Sequence, residues 1–260
     1  MQGFLLRNHK TYHSYKLFSL YTCVKSFGFS IFLVYNIIMQ KKVNKNLITS
    51  ITLSSIAFLG FLALMILVLC GYSFKIDNFN VFIANHRNKF WTSFFKVFTH
   101  LGSFYTLAVL AIISVVLIWF VMKNKRLSLF YAVTFSIVCI ATFVIKQIVR
   151  RARPEHLMII EETGFSFPSG HTMMTFAFFA LAIHFVCVFV KNKALKISLI
   201  PVFTTIVLLV GFSRIYLGVH YLTDVIAGLM ISYVIFEICR LIYRANTSKN
   251  LKDKGEKDEK

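Results

Sequence analysis

The sequence predicts an all-α integral membrane protein, a bundle of six transmembrane helices with a candidate extra hydrophobic helix at the N-terminus. Three observations predict it. Of 260 residues, 57% are hydrophobic, and the mean hydropathy is +0.71. A soluble domain of that length has no core large enough to bury so much apolar surface. The apolar residues fall in long blocks, and those blocks are separated by short polar or basic loops. Lipid offers the backbone no hydrogen-bond partner, so each block is a helix, and crossing takes about 20 apolar residues.

Residues 1–40 form an N-terminal extension. Leu17 to Met39 is apolar but interrupted by Lys25, and no small-residue cleavage site follows it, which argues against a signal peptide. The polar stretch after Met39, with Lys41, Lys42 and Lys45, suggests Met39 as the natural start. The six-span domain is expected over residues 41–244. Its spans are Leu47 to Cys70, Phe104 to Met122, Leu127 to Val149, Thr172 to Val190, Ile197 to Phe212, and Leu222 to Tyr243. Between the first two, Asn85 to Leu101 mixes Trp91, Phe94, Phe95 and Phe98 with Lys89, Lys96 and His100. It reads as a helix lying in the membrane interface or as an external loop. Residues 245–260 are rich in Lys, Asp and Glu and are expected to be disordered.

The formal net charge of +19 does not point to nucleic acid, because the cations sit in loops between apolar blocks and in the tail. Lys41, Lys42 and Lys45 precede the first span. Lys123, Lys125 and Arg126 join the second to the third, and Lys191, Lys193 and Lys196 join the fourth to the fifth. The positive-inside rule makes these segments cytoplasmic and the alternate connections external. Cys23, Cys70, Cys139, Cys187 and Cys239 have no metal-ligand spacing and read as small hydrophobes without a disulfide framework.

Three clusters of chemical residues fall on the expected external side. The first ends the third span: Lys146, Arg150, Arg151, Arg153 and Pro154. On a helix Lys146 and Arg153 share a face, two turns apart, and cations clustered at the external edge suggest an anion site. The second, Phe167-Pro168-Ser169-Gly170-His171, opens the fourth span. Ser169 is a plausible N-cap, and the helix start beside Gly170 offers backbone N–H groups to an anion. The third runs from Ser213 and Arg214 through His220 to Asp224. Spacing of i and i+4 would bring His220 and Asp224 together on one helical face. A carboxylate on one ring nitrogen fixes the tautomer and leaves the other nucleophilic.

In order and spacing the three clusters resemble the signature of the type 2 phosphatidic acid phosphatase and vanadium haloperoxidase superfamily. That pattern is Lys, six residues, Arg-Pro; then Pro-Ser-Gly-His; then Ser-Arg, five residues, His, three residues, Asp. Every specified position is filled here, and the resemblance extends over the six-span layout of the membrane-bound members. It is strongest to bacterial members acting on phosphatidylglycerophosphate, phosphatidate or undecaprenyl pyrophosphate. The resemblance implies an extracytoplasmic active site in the cell membrane and a phosphohistidine mechanism that uses no cofactor or metal. His220 would attack phosphorus, Asp224 would hold and polarise it, and His171 would serve as acid and then base. Lys146, Arg153 and Arg214 would hold the phosphoryl oxygens, completed by Ser169 and the Gly170 amide. Arg150 and Arg151, outside the signature, are candidates for a second phosphate or for anionic lipid. The expected partners are a lipid phosphate or diphosphate and the bilayer. Rival readings are a lipid phosphotransferase, vanadate-dependent halide oxidation, and a non-enzymatic transporter of a phosphorylated solute.

Overall fold

A computed structural model describes residues 45–72 and 75–258. The readings of Leu17–Met39 as a span and of Met39 as a start lie outside these residues. The chain divides into two units, Met1–Leu53 and Ser54–Lys260. In the first, the described residues are the opening turns of helix α1, Lys45–Leu69. Everything that follows concerns the second.

Sequence punctuation sets the helix starts. After a 3₁₀ turn, Lys75–Asn78, come α2, Phe79–Asn85, and α3, Lys89–Phe98. A second 3₁₀ turn, Thr99–Gly102, leads into α4, Phe104–Phe120. Then follow α5, Lys125–Val149; α6, Gly170–Phe189; α7, Lys193–Tyr216; and α8, Leu222–Asp258. Asn88, Ser103, Asn124, Ser169 and Asn192 precede α3 to α7, and each accepts a backbone N–H from the first turn with its side chain. These short polar residues satisfy donors that the start of a helix leaves unpaired.

Among the described residues five helices are long and apolar enough to cross a membrane: α1, α5, α6, α7 and the Leu222–Thr247 part of α8. The expected second span differs. At 17 residues, α4 rises about 26 Å, at the short limit for a hydrocarbon core of about 30 Å. It joins Lys89–Gly102 at a bend of 43°, and the pair together makes the sixth candidate span. Asn85–Leu101 is therefore mostly helical. Phe95 is buried against Tyr216, with ring centroids 4.8 Å apart, while Phe90 and Val97 on the same helix are exposed. The tail also differs from expectation, since α8 runs on to Asp258. Extending an existing helix avoids the cost of nucleation, so a polar sequence can continue it.

The core lies between α5, α6 and α8, where Val138, Met173, Ala177 and Ala227 are fully buried. The outward apolar side chains of α1, such as Ile56 and Leu59, are exposed, as suits a lipid-facing surface. The protein is thus a multi-pass helical membrane protein. Chain alternation puts the end of α5, the start of α6, the end of α7 and the start of α8 at one end of the bundle. The basic connections 121–124 and 190–192 are at the other.

Candidate active site

The site is assembled from four helix termini and the loop 150–169. His220 precedes α8 and is buried, and its ring is bonded on both nitrogens. Nε2 lies 3.3 Å from Arg153 Nη1, and Nδ1 lies 3.4 Å from Ser166 Oγ and 3.6 Å from Asp224 Oδ2. A guanidinium can only donate, so Nε2 is the acceptor and the proton sits on Nδ1. Ser166 Oγ in turn donates to Asp224 Oδ2. The ring is therefore held as the tautomer whose lone pair, on Nε2, faces the cations.

Asp224 reaches that position differently from the expected shared helical face. It is the third residue of α8, and its Oδ2 accepts the N–H of Tyr221 at 2.9 Å. This is one half of a capping box. His220 stands just outside the helix, and Asn80 Nδ2 donates to its carbonyl at 2.7 Å. The next two amides of α8 are capped by the distant 75–80 segment. Leu222 N–H donates to Asn80 Oδ1 at 3.2 Å, and Thr223 N–H to Asp77 Oδ1 at 3.1 Å. The donors at this helix start are spoken for by side chains of the chain itself.

The turn from α7 to His220 depends on Gly218, with φ of +75°. A Cβ there would stand 2.0 Å from the Leu157 carbonyl oxygen. The left-handed conformation and the close backbone both exclude a side chain. The turn places Arg214, in the last helical turn, beneath His220. Arg214 is 1% exposed. Its Nη1 donates to Thr99 Oγ1 at 2.9 Å and its Nη2 to Glu162 Oε2 at 2.6 Å. Its Nε is buried with no partner among the described residues.

The first cluster also departs from the expected geometry. Helix α5 stops at Val149, and Arg150 caps it in the left-handed region with φ of 49°. Arg153 is thus not two turns along a helix from Lys146; it sits in the loop that follows. Both still reach the site because the loop folds back over it. Arg153 Nε and Nη2 hold the carbonyls of Gly164 and Thr163 at 3.0 and 2.9 Å, and Nη1 holds that of Val219 at 2.7 Å. Lys146 Nζ donates to the Phe165 carbonyl and, at 3.4 Å, to that of Ser166. Arg151, read as a candidate for a second phosphate or lipid, instead bridges two acids. Its Nη1 contacts Asp224 Oδ1 at 2.6 Å, and its Nη2 contacts Asp77 Oδ2 at 2.7 Å. A buried carboxylate in a membrane protein needs a cation, and Arg151 supplies it. Arg150 remains exposed, its Nε on the Gln147 carbonyl.

Ser169 caps α6 as expected. Its Oγ accepts from Thr172 Oγ1 at 2.8 Å and from Thr172 N–H at 3.5 Å, leaving its own hydrogen free to donate. The N–H groups of Gly170 and His171 have no partner among the described residues, nor does the His171 ring. Gly170 packs beside Lys146; a Cβ would lie 3.8 Å from its Cε. Gly102 packs just as closely near His171, with a Cβ 2.4 Å from Val210 Cγ1 and 3.5 Å from His171 Cδ2. The 3₁₀ turn before α4 thereby walls the site.

Electrostatics follow from this packing. Burial pushes the His220 ring well below its ordinary 6.5, and Lys146, Arg214, Arg153 and His171 push the same way. It is neutral with an available lone pair. Burial would raise Glu162, but Arg214 and Arg153 hold it below the ordinary carboxylate range. Burial would likewise lower Arg151, but Asp224 and Asp77 raise it. A neutral buried imidazole, a second imidazole, three cations and two free helix amides are the kinds of group that can hold an oxyanion and attack it. Among the described residues no group of three or more His, Cys, Asp or Glu side chains is arranged to hold a metal. Sequence reasoning passed over Asp77, Asn80, Thr99 and Ser166, and gave Glu162 no role. Ser166 lies three residues before Ser169, but a lone Ser carries no signal.

Residues 125–248 match the family model of the PAP2 superfamily. This matched segment is just under half of the chain and holds the ends of the helices that build the site. It is 32% identical to phosphatidylglycerophosphatase B of Bacillus subtilis over 94 residues, 36% of this chain and 46% of that protein. It is 29% identical to the lipid A 1-phosphatase of Rhizobium johnstonii over 133 residues, 45% of this chain and 50% of that one. The chain thus spans half or less of the length of these curated relatives. The crystal structure of a transmembrane PAP2-type phosphatidylglycerolphosphate phosphatase from Bacillus subtilis superimposes with a TM-score of 0.66 at 26% identity. It covers 74% of this chain and 96% of that one.

Proposed function

We propose that the protein is a membrane lipid phosphatase that removes phosphate from a lipid phosphomonoester or diphosphate through a phosphohistidine on His220. The observation that carries this reading is the ring of His220, with Nδ1 tied to Ser166 and Asp224 and Nε2 turned toward Arg153. In the proposed cycle Nε2 attacks phosphorus and the bond to the leaving oxygen breaks. His171 gives that oxygen a proton, then takes one from the water that cleaves the P–N bond. Asp224 and Ser166 stabilise the positive charge that grows on the His220 ring. Arg153, Arg214 and Lys146 and the amides of Gly170 and His171 face the equatorial oxygens.

The location proposed for this chemistry is the extracytoplasmic edge. The basic connections 121–124 and 190–192 lie at the opposite end of the bundle, and the positive-inside rule places those in the cytoplasm. A lipid could keep its chains in the bilayer with its phosphate at the site. The candidate substrates are phosphatidylglycerophosphate, in keeping with the name of the Bacillus subtilis relative, together with phosphatidate and undecaprenyl pyrophosphate.

The test is phosphate release by purified protein across those three lipids and a short soluble ester, with His220→Ala as control. The expected result is turnover on at least one lipid and a loss of about 10⁴–10⁶ in kcat for His220→Ala. His220→Ala activity within tenfold of the parent excludes the assignment.

A further inference from the structure

The cycle above gives no task to Asp77 or Thr223, yet both are buried beside it. Asp77 lies on the 3₁₀ turn Lys75–Asn78, far outside the segment that matches the family model. Its Oδ1 accepts the backbone N–H of Thr223 at 3.1 Å and the hydroxyl at 3.0 Å. Its Oδ2 accepts Arg151 Nη2 at 2.7 Å, and Arg151 Nη1 in turn contacts Asp224 Oδ1 at 2.6 Å. Arg151 Nη1 also donates to Thr223 Oγ1 at 2.7 Å, and the guanidinium carbon sits 4.0 Å from the Tyr221 ring centroid. An unbroken line of charge-assisted bonds runs from Asp77 to the carboxylate that holds His220.

We propose that Asp77 is a positioning residue for phosphoryl transfer: through Arg151 and Thr223 it fixes the placement and the effective charge of Asp224, and so the reactivity of His220. The proposal rests on the phosphatase reading of the same site.

Charge counting supports it. Arg151 alone against Asp224 makes a neutral pair, and a neutral pair does little for a ring that becomes positive. With Asp77 on its other side, Arg151 is shared, and the three groups carry one net negative charge. The side chains of Asp77, Arg151 and Asp224 are 8%, 14% and 0% exposed, so solvent screens this charge weakly. Geometry supports it too. A guanidinium is a planar fork, and this one is fixed by Asp77 on one nitrogen, by Asp224 and Thr223 on the other, and by Tyr221 on its face. Asp77 also caps the second amide of α8, and Asp224 is the next residue. A purely structural cap would predict lost stability and unchanged chemistry. A positioning group predicts changed chemistry at His220.

The experiment compares Asp77→Asn with Asp77→Glu in the full chain in detergent. Asn keeps an acceptor for Thr223 but removes the charge; Glu restores the charge. Two readouts are taken: kcat and KM on the best lipid phosphate, and the Nδ1–H proton resonance of His220, identified by its absence in His220→Ala. Asp77→Asn is expected to lower kcat about tenfold to hundredfold, as for other groups that orient a working imidazole. KM should stay close to the parent's, the Nδ1–H resonance should move upfield, and Asp77→Glu should recover part of both. A kcat within about threefold of the parent, or a fall in kcat with the resonance unmoved, overturns the proposal. If Asp77→Asn does not fold, Thr223→Val takes its place. It keeps the capped amide and loses the hydroxyl; a smaller kcat loss with a moved resonance supports the relay, and an unmoved resonance overturns it. If the parent releases no phosphate from any lipid, the phosphatase reading fails. The resonance then decides the relay alone, by whether it moves in Asp77→Asn.

Discussion

Replacing Arg214 tests the cradle where its geometry is tightest. Its side chain is 1% exposed, and it binds Glu162 at 2.6 Å and Thr99 at 2.9 Å with different nitrogens. Arg214→Ala removes the whole fork. Loss of one preorganised donor to a developing oxyanion costs about 10²–10³ in kcat, or about 2.7–4 kcal/mol, and that is the expected fall. Breaking a fully buried ion pair costs about 3–5 kcal/mol of stability when the partner stays buried. Here the partner, Glu162, is 27% exposed, so it can recover water and the loss should fall below that range. The variant should therefore remain folded and be slow. Arg214→Lys is the sharper probe, since it keeps the charge. A single ammonium cannot reproduce a fork that spans Thr99 and Glu162, so kcat should still drop at least about tenfold, or about 1.4 kcal/mol. Phosphate release in detergent micelles, with a melting curve on the same samples, measures both effects. Arg214→Lys with the kcat/KM of the parent, or Arg214→Ala within threefold of it, refutes the reasoning.

His171→Ala should accumulate an acid-labile, base-stable phosphohistidine with an activated ester such as nitrophenyl phosphate, while His220→Ala should never be labelled. The reverse pattern interchanges the two assignments. Activity should persist in excess chelator, because Lys146, Arg153 and Arg214 supply the positive charge; loss restored by Mg²⁺ would require another mechanism. Cysteine introduced at the exposed Glu161 should be labelled from outside the cell, and at the exposed Lys123 only after permeabilisation; the opposite result moves the site to the cytoplasm. The acid limb of kcat/KM should lie well below pH 6.5, because the folded His220 stays neutral there. By the same linkage, the unfolded ring takes up a proton as pH falls through 6.5 and the folded one does not, so this group's contribution to stability is lost on acidification. An acid limb centred at 6.5 contradicts the burial argument.

Apolar runs made most of the helices legible, because lipid permits little else; of the N-caps, only Ser169 was read in advance. The signature residues were legible as well. Lys146, Arg153, Ser169, Gly170, His171, Arg214, His220 and Asp224 all converge at one end of the bundle. Their local geometry was not. The sequence spacing of Lys146 and Arg153 suggested one helical face, but α5 ends at Val149 and the two meet only because the loop 150–169 folds back. His220 and Asp224 likewise meet across a helix start, not along a helix. The partners of Arg151 could not be read at all. Asp77 is 74 residues away in sequence, and no periodicity links a 3₁₀ turn to the start of α8. Long-range polar contacts of this kind leave no local pattern. The one hint was scarcity: the chain has ten acids, and an acid in an external loop between two greasy spans needs a cation.

If the site lies at the extracytoplasmic edge, as proposed, that pairing also accounts for so many cations where the positive-inside rule disfavours them. Lys146, Arg151, Arg153 and Arg214 face Asp77, Asp224 and Glu162, so four positive charges meet three negative ones and the cluster carries one net charge. Arg151 is neutralised structurally by its two acids, and it does not compete for phosphate. Glu162 is different: it lies 2.6 Å from Arg214 and 3.9 Å from Arg153, on the two guanidiniums assigned to the phosphoryl oxygens. With no substrate, a carboxylate of the chain keeps both forks aligned and prevents their charges from driving the loop apart. In the proposed cycle a phosphate dianion would meet donors already aimed, and Glu162, the acid of the three with most access to water, would be the one to yield its place. Preorganisation of the cradle and tolerance of its charge in a membrane edge are then two consequences of the same ion pair.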